Sequence, residues 1–148
     1  MDLILWRHAE AEDGSPDNAR ELTTKGQKQA AKTAAFLKQR LPDEHRVLVS
    51  PATRAVQTAS AFTEHFTLAP TISPGASAQA VLQAARWPDS GGTVLIVGHQ
   101  PTLGEVAALL LGCEGASLSI KKSALWWFSQ REGSSLTTLK LVITPDFL

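Results

Sequence analysis

The feature that most constrains this fold is the alternation of short apolar runs with longer segments of helical spacing. The runs DLILW (2–6), RVLVS (46–50) and TVLIVGH (93–99) predict short buried strands. Helical patterns stand between these runs and after the third. Strands that alternate with helices in this way predict a mostly parallel sheet with helices on both of its faces.

Four segments carry the helical spacing. Residues 23–41 place apolar side chains on one stripe behind a threonine cap candidate. After the second strand, Ser50 is a predicted cap and Pro51 suits a first helical turn. The segment ASAQAVLQAARW predicts a shorter third helix, and TLGEVAALLLG predicts a fourth that ends at Gly112, a natural C-terminal cap. The repeats that define the first two helices are Ala30, Ala34, Leu37 and Leu41, then Ala52, Ala55, Ala59, Phe62 and Phe66.

The tail of the chain has a different pattern. SALWWFSQ (123–130) and LTTLKLVIT (136–144) are β-rich runs separated by REGSS, which predicts an antiparallel hairpin. Because Trp126, Trp127 and Phe128 occupy both faces of a strand, we expect covered core residues rather than a docking surface. The fold class expected for residues 1–148 is a single α/β domain, a three-layer sandwich with this hairpin at one side of the central sheet.

Polar side chains follow the ends of all three predicted parallel strands. Arg7 and His8 follow the first, Arg54 lies in the helix after the second, and His99 ends the third. In open α/β sheets ligands bind beyond the carboxyl ends of the strands, so these side chains are expected to face one crevice. Planar guanidinium groups suit phosphate best, and the helix N-terminus after His99 adds partial positive charge. Arginines beside a histidine nucleophile are what phosphoryl transfer through a phosphohistidine requires.

Each of these residues also has an ordinary structural interpretation. A lone histidine after a strand is more often structural than catalytic, and Arg54 alone would be a helix-surface arginine. His8 and Glu10 form the H-x-E spacing of zinc deaminases, but that chemistry needs a later cysteine pair and Cys113 is the single cysteine. Spacing does not exclude a general His/carboxylate metal site, although the arginines would repel a cation. The combination of residue types favours a phosphate site without a metal.

Composition bears on the partners and the compartment. Lys plus Arg equals Asp plus Glu, 14 each, so a nucleic-acid partner gains no support, and no polybasic run indicates an anionic membrane. The longest apolar run, VAALLLG, is too short to span a bilayer. Because the N-terminus lacks a signal-peptide pattern, we expect a cytoplasmic protein, and we expect it to be a monomer.

Four motifs follow one another along the chain: RHAEAE, RELTTKG, VLVSPATRAVQTA and LIVGHQPTL. Together they resemble the histidine phosphatase superfamily, and more closely its short SixA-type phosphohistidine phosphatase branch, which has a phosphoglycerate mutase-like fold. The similarity extends to SALWWF and so covers nearly the whole chain. The resemblance implies that His8 is the nucleophile and that Arg7 and Arg54 hold the phosphoryl oxygens. It also implies that His99 contacts and neutralises the phosphoryl group, that Arg20 reaches the site, and that no metal or other cofactor is required.

The sequence departs from the family pattern at three points. Ala9 stands where glycine usually follows the histidine of the first motif, and Gln100 stands where asparagine is frequent after GH. Larger members take a proton-donating carboxylate from the region between the second and third strands. Here residues 67–92 contain one acid, Asp89, in a turn-forming stretch. We do not expect a proton donor from this region.

The remaining candidates for an acid are Glu10 and Glu12, which we expect to be solvated loop carboxylates. The short middle region leaves few residues to enclose a small ligand, so an open site fits a phosphorylated protein better. The predicted function is a phosphatase with a phosphohistidine intermediate that acts on a His-phosphorylated signalling protein. Two alternatives stay open: a small-molecule phosphomonoesterase of the same superfamily, and a non-catalytic phosphate-binding or phosphoprotein-binding module.

Overall fold

The central element of the fold is a six-stranded sheet, seen in a computed structural model that describes residues 1–116 and 118–148. The strands are Asp2–Arg7 (β1), Arg46–Val49 (β2), Thr67–Leu68 (β3), Thr93–Gly98 (β4), Leu125–Gln130 (β5) and Thr137–Ile143 (β6). Their order across the sheet is β3-β2-β4-β1-β5-β6. The first four pair in parallel, whereas β5 is antiparallel to both β1 and β6. The predicted α/β class, parallel core and C-terminal hairpin are confirmed.

The helices begin and end largely where local sequence signals predict. They are Thr24–Arg40 (α1), Thr53–Ser60 (α2), Ala78–Ala85 (α3) and Thr102–Leu110 (α4). The Thr23 side chain caps α1 by accepting a hydrogen bond from the Gly26 amide. After α4, Gly112 adopts a φ of +73°, the left-handed conformation that glycine supplies after a helix. Within the described residues no helix is both long enough and apolar enough to cross a bilayer.

Two apolar layers fill the space on either side of the sheet. One face of β1 and β4 packs against α1 and α2, where Ile4 and Leu37 are fully buried. The other face packs against α3 and α4, where Leu5 and Leu103 are at most 1% exposed. Covering both faces explains why the central strands are continuously apolar rather than alternating. This arrangement leaves the carboxyl ends of the strands open at one edge.

The second helix differs from its prediction. It begins at Thr53 and ends at Ser60, so the predicted cap at Ser50, the first turn at Pro51 and the extension to Phe66 are all wrong. The Ser50 hydroxyl is used elsewhere, as described below. The chain leaves the helix before Phe62 and forms the short edge strand β3 directly after Phe66. Both phenylalanines still pack on the core. Two core-facing side chains four residues apart have the spacing of a helix even where the chain is not helical.

The aromatic residues of β5 form part of the core. Phe128 is fully buried, Trp127 is 8% exposed, and Trp126 is half-buried against the same layer as Phe128. The Trp127 indole N–H donates to the Asp2 carboxylate at 2.8 Å, so its one polar group has a partner. The expectation that these aromatics are covered is confirmed.

Candidate active site

His8 stands directly after β1, at the carboxyl edge of the sheet. Its amide donates to the Gly98 carbonyl at 3.0 Å, which ties it to the end of the neighbouring strand β4. The Ser123 amide donates to the carbonyls of Arg7 and His8, at 3.1 and 3.3 Å. The backbone of His8 is therefore fixed from two sides, and the residue is 8% exposed.

The contacts of the His8 ring define its tautomer. Nδ1 lies 2.7 Å from the Ala9 carbonyl oxygen, which can only accept a hydrogen bond. Nε2 receives the Nε–H of Arg54 at 3.3 Å, and that group can only donate. The proton of the neutral ring is therefore on Nδ1, and Nε2 carries the lone pair.

The surroundings keep this ring neutral at physiological pH. Burial, followed by the charges of Arg54, Arg7 and Arg20, lowers the pKa of His8 to about 4, against the hydrogen bond to Ala9, which raises it. A neutral imidazole whose Nε2 is unprotonated is a nucleophile once Arg54 releases that lone pair.

Arg54 reaches the site from the first turn of α2 and is 4% exposed. Its NH1 donates to the Asp17 carbonyl oxygen at 2.8 Å, and its NH2 donates to the Asp17 carboxylate at 3.1 Å. Asp17 also accepts from NH1 of Arg20 at 3.0 Å. Three of the five N–H donors of Arg54 are thus held by Asp17 and His8.

Arg20 is linked to Arg54 through Asp17, which forms an ion pair with each of them. Its Nε–H donates to the Glu12 carbonyl oxygen at 2.7 Å, and its NH1 contacts Asp17 rather than His8. Both bonds belong to the loop before α1, which also contains the short 3-10 helix Asp17–Ala19. Arg20 acts on His8 through its charge, which lowers the pKa of that ring.

Arg7 closes β1 and lies beside the end of β4, paired in register with Gly98. Its NH1 donates to the Ile120 carbonyl oxygen at 2.8 Å. Its Nε–H is buried and has no hydrogen-bond partner in the described part of the chain. A buried donor without a partner is costly and is a ready contact for a bound anion.

His99 comes from the end of β4, and its ring centroid lies 5.2 Å from that of His8. Its Nε2 lies 2.7 Å from the Ser50 hydroxyl. Ser50 Oγ accepts from the Ala52 amide at 3.3 Å, and donating its own proton to His99 Nε2 satisfies the hydroxyl. The ring proton of His99 is then on Nδ1, a buried atom without a partner among residues 1–116 and 118–148.

His99 is also neutral in this setting. Burial is the largest cause, and with the charge of protonated His8 and the charges of Arg54 and Arg7 it lowers the pKa of His99 to about 3, while Asp17 raises it. His99 is therefore uncharged when a phosphoryl group arrives, and we expect it to contact that group first as a hydrogen-bond donor. A phosphoryl dianion beside the ring would raise its pKa.

Ala9 and Gln100, the two positions that depart from the family motifs, both have hydrogen-bond partners near the site. Ala9 is fully buried, and its amide donates to Thr58 Oγ1 at 3.0 Å while its carbonyl oxygen holds His8. Gln100 does not point to the anion site: its Oε1 accepts from the Gly104 amide of α4 and its Nε2 donates to the Leu118 carbonyl oxygen. Gln100 therefore satisfies the start of α4 and ties it to the following loop.

The candidate acids are placed away from the reacting ring or are held as anions. Asp89 lies in the turn before β4, at the opposite end of the sheet from His8. Glu10 accepts from the Thr23 hydroxyl at 2.9 Å and lies 3.6 Å from Lys122 Nζ, and these contacts lower its pKa. Glu10 is thus a partly exposed loop carboxylate that is anchored by the Thr23 hydroxyl and by Lys122. Glu12 is exposed, as expected.

Sequence reasoning missed three residues that shape the site. Asp17 supplies the carboxylate beside Arg54, Ser50 orients His99, and Thr58 links Ala9 to the Arg54 carbonyl, to which it donates at 2.7 Å. Periodicity carries no signal for these contacts, because Asp17 lies in a loop and the other two look like a cap and a helix-surface hydroxyl. The one available hint was chemical: a buried arginine such as Arg54 needs a counter-charge.

Comparisons with known proteins agree with this geometry. Residues 3–77 match the histidine phosphatase superfamily, branch 1. A phosphohistidine phosphatase SixA homolog from Haemophilus influenzae is 35% identical over 128 residues, which is 76% of this chain and 78% of the relative.

Solved structures show the same fold over nearly the full length. The protein histidine phosphatase SixA, solved with tungstate, superposes with a TM-score of 0.83 at 28% identity and 99% coverage of both chains. A phosphoserine phosphatase from Entamoeba histolytica has a TM-score of 0.76 at 20% identity, with 99% of this chain and 98% of that one covered, a likeness of fold alone. From its motifs, its sheet and these relatives, this chain belongs to the histidine phosphatase superfamily, branch 1, and is of the SixA type.

Proposed function

We propose that this chain is a protein phosphohistidine phosphatase in which His8 takes the phosphoryl group. The observation that carries the proposal is the state of the His8 ring. Nδ1 is held by the Ala9 carbonyl at 2.7 Å, and Nε2 is unprotonated beside Arg54. That ring needs no general base before it attacks phosphorus.

The reaction proceeds in two in-line steps. In the first, His8 Nε2 forms a bond to phosphorus as the bond from phosphorus to the substrate nitrogen breaks, and the electron pair leaves with the substrate imidazole. In the second, a water oxygen forms a bond to the phosphorus as the bond from phosphorus to His8 Nε2 breaks, and the electron pair returns to Nε2. A proton of the water passes to solvent, and inorganic phosphate leaves. His8 returns to its neutral form with the proton still on Nδ1.

The remaining site residues stabilise the phosphoryl oxygens. Arg54 shifts its Nε–H from His8 Nε2 to an equatorial oxygen as the phosphorus arrives, and Arg7 offers its Nε–H, which has no partner among the described residues. His99 donates from Nδ1, supported by Ser50. Arg20 contacts the outermost phosphoryl oxygen only after it releases Asp17. It is therefore the last of these residues to engage the phosphoryl group.

The leaving group favours a phosphorus–nitrogen bond. Expelling an alkoxide from a phosphomonoester at neutral pH needs a general acid, whereas an imidazole protonated on its other nitrogen leaves readily. The carboxylates of Asp17 and Glu10 are unsuited to this task, because ion pairs and hydrogen bonds lower the pKa of both groups. The Haemophilus influenzae relative is named a phosphohistidine phosphatase and the solved SixA is named a protein histidine phosphatase, which supports the same substrate class.

The proposal includes the setting of the enzyme. It works as a monomeric single domain over residues 1–148, in the cytoplasm, on a His-phosphorylated signalling protein. It needs no metal, because the arginines around His8 repel a cation and already supply the positive charge that a metal would bring. In the described residues, no group of three or more His, Cys, Asp or Glu side chains comes close enough to hold a metal ion.

The experiment compares kcat/KM for a phosphohistidine protein and for phosphoramidate with kcat/KM for phosphoserine. We expect the phosphorus–nitrogen substrates to exceed phosphoserine by about 10² or more, the usual contribution of a general acid. Adding EDTA leaves the rates unchanged. Comparable rates on phosphoserine that disappear in Glu10→Gln or Glu12→Gln would contradict the leaving-group argument, and inhibition by EDTA that Mg²⁺ or Zn²⁺ reverses would contradict metal independence.

A further inference from the structure

A second polar cleft lies beside the phosphoryl site and shares Arg7 with it. Its walls come from the start of α1, the segment before β5 and the residues after β6. The cleft has a volume of about 360 Å³, which is enough for several side chains of a peptide. Because Arg7 lines this cleft and also stands beside His8, a ligand in the cleft would be continuous with a phosphoryl group on His8.

The cleft gathers positive charge in a protein whose formal net charge is zero. Lys25, Lys121 and Lys122 are exposed along it, in addition to Arg7. Its carboxylates are Glu10 and Asp146. Glu10 is already engaged by the Thr23 hydroxyl and by Lys122, so the lysine side chains leave an excess of unneutralised positive charge.

The same cleft contains a buried polar atom that the phosphoryl site does not use. Thr144 Oγ1 is buried and makes no hydrogen bond within the described residues. Buried polar atoms are nearly always hydrogen-bonded, so this hydroxyl marks a surface that is completed by a bound polar group. A carboxylate suits it, since it accepts from a hydroxyl and is attracted by the neighbouring lysines.

The rim of the site formed by the loop before α1 has the opposite charge. Exposed carboxylates of Glu12, Asp13, Asp17 and Glu21 lie along the loop before α1, with Arg20 bound to one of them. An acidic segment is repelled by this rim and attracted by the lysine cleft. The difference in charge therefore fixes the direction in which a substrate chain lies across His8.

We propose that the lysine cleft, formed by Arg7, Lys25, Lys121, Lys122 and Thr144, binds an acidic segment next to the phosphohistidine of the substrate protein. The inference rests on the proposed function, and it adds the sequence context that the enzyme selects. Lys25 lies on α1, whereas Lys121 and Lys122 lie on the segment before β5, so an extended acidic chain engages both walls of the cleft together, whereas a free phosphate ion contacts one or two lysines.

The test uses two short synthetic phosphohistidine peptides of equal length, with either glutamates or glutamines around the phosphohistidine, and phosphoramidate as a probe too small to fill the cleft. Wild type should show a kcat/KM for the glutamate peptide at least about tenfold above that for the glutamine peptide, the lower end of what complementary charge adds to association. The variant Lys25→Gln/Lys121→Gln/Lys122→Gln should lose this preference. Added salt should reduce it in wild type, because exposed charges are screened.

A matched control removes the same total charge from the other end of the sheet. Lys38, Arg86 and Arg131 are exposed and lie outside the cleft, so Lys38→Gln/Arg86→Gln/Arg131→Gln should keep the preference for glutamates. Retention of the preference in the cleft variant, or its equal loss in the control, would overturn the inference. Wild type that hydrolyses phosphoramidate but treats the two peptides alike would overturn the inference and leave the proposed function standing. Wild type that hydrolyses neither peptide nor phosphoramidate would overturn both.

Discussion

Arg54 donates its Nε–H to Nε2 of His8 across 3.3 Å. His8 carries the lone pair that attacks phosphorus, and Arg54 binds the phosphoryl oxygens, so the contact joins the nucleophile to its anion-binding partner. It places the guanidinium where the phosphorus must arrive, and Asp17 holds the other end of the same guanidinium. The catalytic arrangement is therefore built before any substrate binds, which is the condition under which electrostatic stabilisation is most effective.

Arg54→Ala should lower kcat roughly 10²-fold or more, because it removes a donor that acts on the transition state. Arg54→Lys should recover only part of this loss, since an ammonium group cannot contact His8, Asp17 and the phosphoryl group through one planar fork. Steady-state kinetics on phosphoramidate measures both variants. Full activity in Arg54→Lys would show that charge alone is sufficient.

Asp17→Asn should tighten product inhibition by inorganic phosphate about fivefold. The substitution removes a carboxylate that repels the anion, and unit charges about 4 Å apart in water interact by about 1 kcal/mol. The Asp17 carbonyl oxygen, which accepts from Arg54 NH1 at 2.8 Å, remains in place. The inhibition constant of phosphate reports the effect, and weaker inhibition would mean that the carboxylate serves mainly to hold Arg54.

The free energy of unfolding should fall as the pH is lowered from about 7 to about 5. Burial lowers the pKa of His8 to about 4 and that of His99 to about 3, so in this range the unfolded chain takes up protons that the folded chain does not. Each histidine should remove about 2 kcal/mol of stability over this interval. Urea denaturation at several pH values measures the slope, and His99→Gln should reduce it by about half. A slope that is unchanged in this variant would place the titration elsewhere.

Gly26→Ala should destabilise the fold by about 1–3 kcal/mol, the usual cost of overpacking. A methyl group at this position of α1 would collide with the Glu10 carbonyl oxygen, in the loop that follows His8. Gly98→Ala is the matched control, because its methyl group would meet only the Leu103 side chain, at an ordinary 3.6 Å. Thermal unfolding of the two variants separates them, and equal stability would show that the loop yields without cost.

The sequence predicted the parts of this protein that depend on repeated local signals. Buried strands, the Thr23 cap and the Gly112 end of α4 each follow from a few neighbouring residues, and topology then brings Arg7, His8 and His99 to one edge. The family motifs added Arg54 to the predicted site, which topology alone does not do.

What escaped prediction depends on contacts between distant residues. Ser50 carries the sequence signature of a helix cap, yet its hydroxyl binds His99, which is 49 residues away in the chain. Asp17 contacts Arg54 across 37 residues, from a loop without periodicity. Phe62 and Phe66 have helical spacing although α2 ends at Ser60, because both side chains pack against the same apolar layer.

The most direct test of the account is to find where the phosphoryl group resides during turnover. The enzyme is mixed with a phosphohistidine protein, quenched in alkali, which preserves phosphohistidine, and digested for mass spectrometry, with His8→Ala treated in the same way. The chain has four histidines, His8, His45, His65 and His99. We expect phosphate on His8 alone in wild type, and neither phosphoenzyme nor turnover in the correctly folded His8→Ala variant. Phosphate on His99, or near-normal turnover without His8, would contradict it.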